Sequence, residues 1–392
     1  MSLRVAMVAG EASGDLLASH LIAALKARVP DAVFCGIGGP KMAACGFDAW
    51  WPAETLSVMG FSDALRRYRE LSGIRGQLKK RLLADPPDVF IGVDAPDFNL
   101  DLEAALKARG IPAVHYVSPS IWAWRGDRIK KIRRAVSRIL ALFPFEPEIY
   151  EKAGVPVSYV GHPLADLLPM NPDREATREL LGIPQNAPVF ALLPGSRQGE
   201  LRFLADTFIG TARLVREKLP EARFLVPLAT RETRLMFEQA LYRCQAQDLP
   251  IRLLFGHAHE AMTAADGVLV ASGTATLEAA LLKRPMVIAY RLTSFSHFLM
   301  KCMGYLPYVG LPNILAGRFV VPEFIQKDAT PEKLAEALLA QYEDKAGRAD
   351  IVAEFERIHR ELRQNTAERA AEAVLSCLRR QENGSDNGLA VA

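Results

Sequence analysis

Cysteine is scarce in this chain, and what there is does not pair. Cys35, Cys45, Cys244, Cys302 and Cys377 are odd in number, widely scattered, and form no C-x-x-C. That excludes a disulfide framework or a zinc ribbon and points to a reducing, cytoplasmic compartment. There is no G-x-G-x-x-G and no Walker A loop, which weakens the dinucleotide and ATP readings. No Asp-x-Asp pair and no His-Glu-x-x-His occurs, and His257 and His259 stand too close on one loop for a zinc site of their own. Neither a metal nor a cofactor is indicated. No window reaches the ~20 uninterrupted apolar residues of a membrane span. The early run "VAMVAG" stops at Glu11 and Asp15, unlike a signal peptide. Charge of one sign is lacking too: a formal net charge of +3 argues against wholesale nucleic-acid binding. No period of 20–50 residues repeats, so a solenoid is excluded.

What is present is alternation. "RVAMVAG", "DVFIGVD", "PAVHYVSPS", "RILALFPF" and "VSYVGHP" are short apolar runs separated by longer amphipathic stretches. A second series follows with "VFALLPGSR", "ARFLVPLA", "IRLLFG", "DGVLVASG" and "PMVIAYR". Strand–helix repetition of this kind predicts an α/β protein with parallel sheets covered by helices on both faces. The length of 392 residues suits two domains of about 100–200 residues. The expected division is 1–168, joined by C-terminal helices at about 345–380, and 169–344, with 381–392 a disordered tail. The proline-bearing stretch "ADLLPMNPDREATRELLGIPQNAP" reads as the linker. "ATPEKLAEALLAQ" opens a helix with Thr330 as cap and Pro331 at its first position. Two doubly wound, Rossmann-like halves would face each other across an interdomain cleft, with ligands outside the carboxyl ends of the strands.

Four loops could do chemistry. In "AGEASGD", Gly10 and Gly14 allow a tight turn at a helix start; Ser13 is either its cap or, with Glu11, a contact for ligand hydroxyls. "GVDAPDFN" places Asp94 at a strand's carboxyl end, as cap or catalyst, and Asp97 on a proline-fixed turn suited to a general base. In "LLPGSRQGE", Gly195 permits close backbone approach, Ser196 offers a hydrogen bond, and Arg197 carries a planar cationic fork suited to a diphosphate. "VASGTATLEAALLKRP" crowds Ser272, Gly273, Thr274 and Thr276 at a strand-to-helix junction, with Glu278 placed for ribose hydroxyls or for a capping box. His162 in "VGHPLAD" is a histidine at the end of the first half's last strand, a cleft residue near the hinge rather than the base. Two segments are strongly basic, 63–84 with seven basic residues against two acids and 125–138 with seven against one. Trp50, Trp51, Trp122 and Trp124, with "SFSHFLMKCMGYLPYVGLPN", lie beside them, which reads as a membrane-surface pattern.

Taken in order, "AGEASGD", "GIGGPKM", "SVMGF", "DAPDFN", "HYVSPSIWAWR", "FPFE", "YVGHPLAD", "LLPGSR", "ASGTATLEAAL" and "YVGLPNILAG" resemble the lipid-A-disaccharide synthase family, glycosyltransferase family 19, over the chain to about Gln326. The resemblance implies a type-B glycosyltransferase fold and metal-free, inverting transfer in lipid A biosynthesis. Its donor would be UDP-2,3-diacylglucosamine, and its acceptor 2,3-diacylglucosamine 1-phosphate. Asp97 would be the base that deprotonates the acceptor's 6-hydroxyl and Arg197 would hold the UDP diphosphate. Gly195, Ser196, Ser272, Gly273, Thr274 and Thr276 would line the nucleotide, Glu278 would bind ribose, and Asn313 would face the donor. Glu11, Ser13, Gly14, Asp94 and His162 would line the acceptor side. The family implies a cytoplasmic enzyme peripherally bound to the inner face of the cytoplasmic membrane. The alternative on the same fold is a UDP-sugar epimerase, which needs one substrate and no apolar surface; a non-enzymatic docking scaffold would leave "DAPDFN" and "LLPGSR" without purpose.

Overall fold

The computed structural model describes residues 2–56, 61–122, 126–291 and 307–386. Trp124, Cys302, most of "SVMGF", most of "SFSHFLMKCMGYLPYVGLPN" and residues 387–392 lie outside the described residues. The chain forms two compact units, Met1–Asp166 with Leu362–Ala392, and Leu167–Glu361.

The first unit is built on a seven-stranded parallel sheet in the order β3-β2-β1-β4-β5-β6-β7. Its strands are β1 (Arg4–Ala9), β2 (Val33–Gly38), β3 (Phe47–Pro52), β4 (Val89–Val93), β5 (Ala113–Tyr116), β6 (Arg138–Ala141) and β7 (Val157–Tyr159). The second holds a six-stranded parallel sheet, β10-β9-β8-β11-β12-β13. Those strands are β8 (Val189–Leu193), β9 (Arg223–Leu228), β10 (Ile251–Phe255), β11 (Gly267–Ala271), β12 (Met286–Tyr290) and β13 (Glu323–Ile325). The central strands are buried along their length because helices cover both faces, which is why β4, β8 and β11 read as unbroken apolar runs. In each sheet the strand order reverses once, between β1 and β4 and between β8 and β11. Such a reversal opens a crevice at the strands' carboxyl ends.

Three boundaries differ from the sequence reading. The presumed linker is packed structure. Asp173 caps the helix Arg174–Leu180, whose Arg178 is fully buried. That guanidinium donates to Asp266 Oδ2 at 2.9 Å, Ala264 O at 2.9 Å, Gln185 O at 2.6 Å and Ala187 O at 3.0 Å. The return to the first unit falls at Leu362 rather than near 345, so the helix Lys345–Leu362 belongs to the second unit and only Thr366–Asp386 to the first. There the Asp166 carboxylate accepts the backbone N–H of Asn365 at 3.0 Å and of Thr366 at 2.7 Å, capping the last helix. That helix runs to Asp386, into the stretch expected to be disordered. Arg379, Arg380, Gln381 and Glu382 are good helix formers, and they carry the helix past the point where composition turns polar. Thr330 caps its helix as the sequence indicates, accepting from Lys333 N, with Pro331 in the first turn.

Candidate functional site

Both crevices carry the loops singled out from the sequence. In the first unit β1 and β4 pair side by side, bringing "AGEASGD" next to "DAPD". The helix Ala12–Arg28 begins directly after Glu11, its N-cap residue, and no side chain caps it. Ser13 is therefore an exposed residue of the first turn, not the cap. Gly14 is buried against the sheet, where an added Cβ would meet Ala9 Cβ at 3.5 Å and Val93 Cγ1 at 3.7 Å. Asp15 is turned inward as well. Its carboxylate accepts the N–H groups of Gly39, Lys41 and Met42, each at 3.0 Å, and pins the start of the helix Pro40–Ala44. Glu11 and Ser13 are the exposed polar side chains of this loop.

The turn after β4 is strained. Asp94 (φ 52°) and Ala95 (φ 44°) both occupy the left-handed region, at about 1–3 kcal/mol each. Asn99 Nδ2 donates to Asp94 O at 2.8 Å, and Asp94 N donates to Tyr116 O at 2.8 Å, so the turn is held from both sides. Pro96 then starts the helix Pro96–Lys107 and puts Asp97 in its first turn. The Asp97 side chain is 83% exposed, and one guanidinium N–H of Arg128 reaches its Oδ1 at 2.6 Å. Beneath the turn, Gly92 leaves room for the helix: a Cβ there would lie 2.2 Å from Glu103 Oε1. Glu103 Oε1 and His115 Nδ1 are 2.7 Å apart, and both side chains are fully buried. Burial raises the Glu103 pKa, while His115 works against that rise. Neither residue of this pair stood out in the sequence.

Further along the same sheet edge, His162 stacks on Phe143 with ring centroids 5.6 Å apart. Its Nδ1 faces the N–H of Leu164 at 3.3 Å, and desolvation by burial lowers its pKa to about 4. A neutral imidazole in a packed aromatic group is a poor match for a free catalytic base. Trp122 belongs to that group, edge-on to Phe145 at 5.3 Å, and donates from Nε1 to Glu146 Oε1 at 3.0 Å. Glu146 Oε2 accepts from Leu142 N and Phe143 N at 3.0 Å each, yet burial still raises its pKa to about 7.

In the second unit β8 pairs with β11, with Leu193 opposite Val270, so "PGSR" and "SGT" emerge together. Arg197 is the N-cap residue of the helix Gln198–Lys218. Glu200 Oε2 accepts from Ser196 N at 3.0 Å and Arg197 N at 3.3 Å. Gly195 has φ +121°, and a Cβ there would lie 2.3 Å from that same carboxylate. The glycine is thus required by the internal cap as well as by any close approach of a ligand. Ser196 and Arg197 point their side chains to solvent.

The helix Thr274–Leu281 starts after Gly273 with no side-chain cap, so the capping-box account of Glu278 does not hold. Instead Glu278 Oε2 pairs with His259 Nε2 at 2.9 Å, and this raises the His259 pKa. Thr276 is fully buried, its Oγ1 donating to Gly273 O at 2.7 Å and accepting from Leu311 N at 3.3 Å. Ser272 Oγ donates to Val309 O at 2.8 Å. Gly273 and Thr274 are the exposed members of the junction. Asn313 does not face a ligand: it is fully buried. Its Nδ2 donates to Val321 O at 2.9 Å and Glu323 Oε1 at 2.8 Å, and its Oδ1 accepts from Val320 N at 2.8 Å and Val321 N at 3.0 Å. Asp97 lies in the first unit and Arg197 in the second.

Solved structures share this architecture. A glycosyltransferase of kitacinnamycin superposes with a TM-score of 0.62 at 16% identity, covering 95% of this chain and 98% of that one. The UDP-GlcNAc 2-epimerase of Neisseria meningitidis gives 0.59 at 14% identity, covering 96% and 100%. Two Rossmann-like parallel-sheet units with loops gathered at both strand-order reversals define the type-B glycosyltransferase class of fold, which epimerases also use. Identity separates the two. The lipid-A-disaccharide synthetase family model matches residues 5–374. The lipid-A-disaccharide synthase of Dechloromonas aromatica is 67% identical over 378 residues, 96% of this chain and 99% of its own. That of Burkholderia thailandensis is 55% identical over 373 residues, 95% and 96%. The chain belongs to the lipid-A-disaccharide synthase family and is a glycosyltransferase of lipid A disaccharide synthesis, not an epimerase.

Proposed function

We propose that the chain joins UDP-2,3-diacylglucosamine to 2,3-diacylglucosamine 1-phosphate, giving the β-1,6-linked disaccharide 1-phosphate and UDP with inversion at the donor's anomeric carbon. The observation that carries this reading is the position of the two polar loop pairs, each at the strand-order reversal of its own sheet.

The first unit takes the acceptor. Asp97 removes the proton from the 6-hydroxyl as that oxygen attacks the donor's anomeric carbon, and the carboxyl then releases the proton to solvent. Its exposure, and the contact that Arg128 Nη2 makes at Oδ1, support the role. Glu11, Ser13 and Asp94 border the same crevice, with His162 further along the edge and Gly14 beneath as packing. The second unit takes the UDP-sugar. As the bond from the anomeric carbon to the diphosphate breaks, the charge left on UDP is met by Arg197 and by the helix starts at Gln198 and Thr274. Gly195, Ser196, Gly273 and Thr274 border the diphosphate, and Ser272 and Thr276 shape the loop under it. Glu278, steadied by His259, accepts from ribose hydroxyls. The reaction uses no metal and no cofactor.

Acylated substrates require access to a bilayer. The helix Phe61–Ala84 carries the first of the two basic segments, and among the described residues no helix is long and apolar enough to cross a membrane. Peripheral attachment to the inner face of the cytoplasmic membrane fits both. The direct test is UDP release with each substrate alone and with both. Release that requires the acceptor and matches disaccharide formed supports transfer; equal release without the acceptor overturns it.

A further inference from the structure

The helix that carries Asp97 carries a second carboxylate one turn on, Asp101, with cations gathered around it. Asp101 is held on both oxygens: Arg75 Nη1 lies 3.2 Å from Oδ2 and Lys131 Nζ 2.5 Å from Oδ1. The same Arg75 nitrogen donates to Asp97 O at 3.3 Å, and its guanidinium lies 6.0 Å from the Phe98 ring centroid. Arg75 therefore stands with its side chain only 21% exposed and oriented by three neighbours, while Asp101 and Lys131 are each 47% exposed. Arg75 comes from the helix Phe61–Ala84 and Lys131 from Ile129–Ala135, so two separate elements bring their cations to one point. Exposed Lys130, Arg133 and Arg134 add positive field from the second of these.

Spacing gives the arrangement its meaning. Residues four apart on a helix share a face, and Asp97 and Asp101 are separated by about 6 Å along the axis. That is about the span of one pyranose ring, from an oxygen on C6 to a substituent on C1. We propose that Arg75 and Lys131, gathered on Asp101 one helical turn from Asp97, bind the 1-phosphate of the acceptor sugar and so deliver its 6-hydroxyl to Asp97. The proposal rests on the reading of Asp97 as the base. Asp101 is the counter-ion that keeps the two cations assembled before the acceptor arrives, and a dianionic phosphate competes with it for their N–H groups. Arg128, already on Asp97, keeps the carboxylate aimed. No covalent step is added.

A phosphate here could also be that of an anionic lipid headgroup, and the test separates the two sources. The readout is the ratio of kcat/KM for 2,3-diacylglucosamine 1-phosphate to kcat/KM for the same acceptor without phosphate. The intact chain should favour the phosphorylated acceptor about ten- to hundredfold, the range of one or two charge-assisted contacts. Lys131→Gln and Arg75→Gln should each shrink that ratio about tenfold through a raised KM for the phosphorylated acceptor, and Lys131→Arg should retain most of it. A ratio unchanged in both Gln variants, or equal losses on both acceptors, overturns the proposal. So does loss of binding to phosphatidylglycerol vesicles in Lys131→Gln with the ratio intact, because the cations would then read the bilayer. Asp97→Asn keeps failure of the underlying reading distinct: turnover surviving in that variant removes the base, whatever the ratio does.

Discussion

Arg128 and Asp97 are joined at 2.6 Å from unequal positions, the arginine side chain 17% exposed and the aspartate 83%. The covered partner is the fixed one. It occupies Oδ1, and among the described residues no side chain engages Oδ2, which is the geometry a base needs to meet a hydroxyl arriving from solvent. Replacing Arg128 by Gln should lower kcat about ten- to hundredfold, in line with the cost of small misplacements at a reacting centre, and leave the KM for the UDP donor unchanged. Steady-state kinetics with both substrates varied checks this. A donor KM that rises with unchanged kcat would contradict it.

His162 and Glu146 titrate in opposite senses, and the sign of each can be worked out. Burial lowers the His162 pKa from 6.5 to about 4, so the folded chain keeps it neutral while the unfolded chain takes up a proton. Its contribution to stability is complete above pH 6.5 and is lost as the pH falls towards 4, with a slope of at most about 1.4 kcal/mol per pH unit. Burial raises Glu146 from 4.5 to about 7, so its contribution is complete below pH 4.5 and is lost as the pH rises through 7. Between these limits the two slopes offset each other in the intact chain. Urea melts from pH 4.5 to 7 should therefore show stability falling with pH in His162→Gln and rising with pH in Glu146→Gln. The same pH dependence in both variants would contradict the assignment.

Asn313 fixes the approach to β13 through four hydrogen bonds from a fully buried amide. Asn313→Ala leaves the Val320 and Val321 N–H groups and the Val321 carbonyl without that partner, and should destabilise the chain by about 2–4 kcal/mol. Thermal unfolding measures this directly. A loss below about 0.5 kcal/mol would mean that the loop holds itself, and the family motif "LPN" would need a reason other than structure.

The sheets were legible because parallel strands buried on both faces leave short apolar runs, as in "VFIGV" and "VFALL", whose length of five and β-branched or aromatic content favour strand over buried helix. The loops after them were legible because glycine and short polar residues follow those runs at once. What escaped was the direction in which a polar side chain turns. Asp15 and Glu11 sit in the same loop, yet Asp15 is buried on three backbone N–H groups and Glu11 is exposed. Arg178 lies in a proline-bearing stretch that reads as linker and is buried because Asp266, far along the chain, meets it. His259 and Glu278 show the same limit: their pairing depends on the fold bringing the helices Ala258–Ala264 and Thr274–Leu281 together, and no local pattern encodes it.

The central claim is that Asp97 is the base, and single-turnover kinetics on Asp97→Asn tests it most directly. The variant should bind UDP as the intact chain does while disaccharide formation falls by at least ~100-fold, the lower end of what a positioned general base supplies. Disaccharide formation within a few-fold of the intact chain, with UDP binding unchanged, would contradict it.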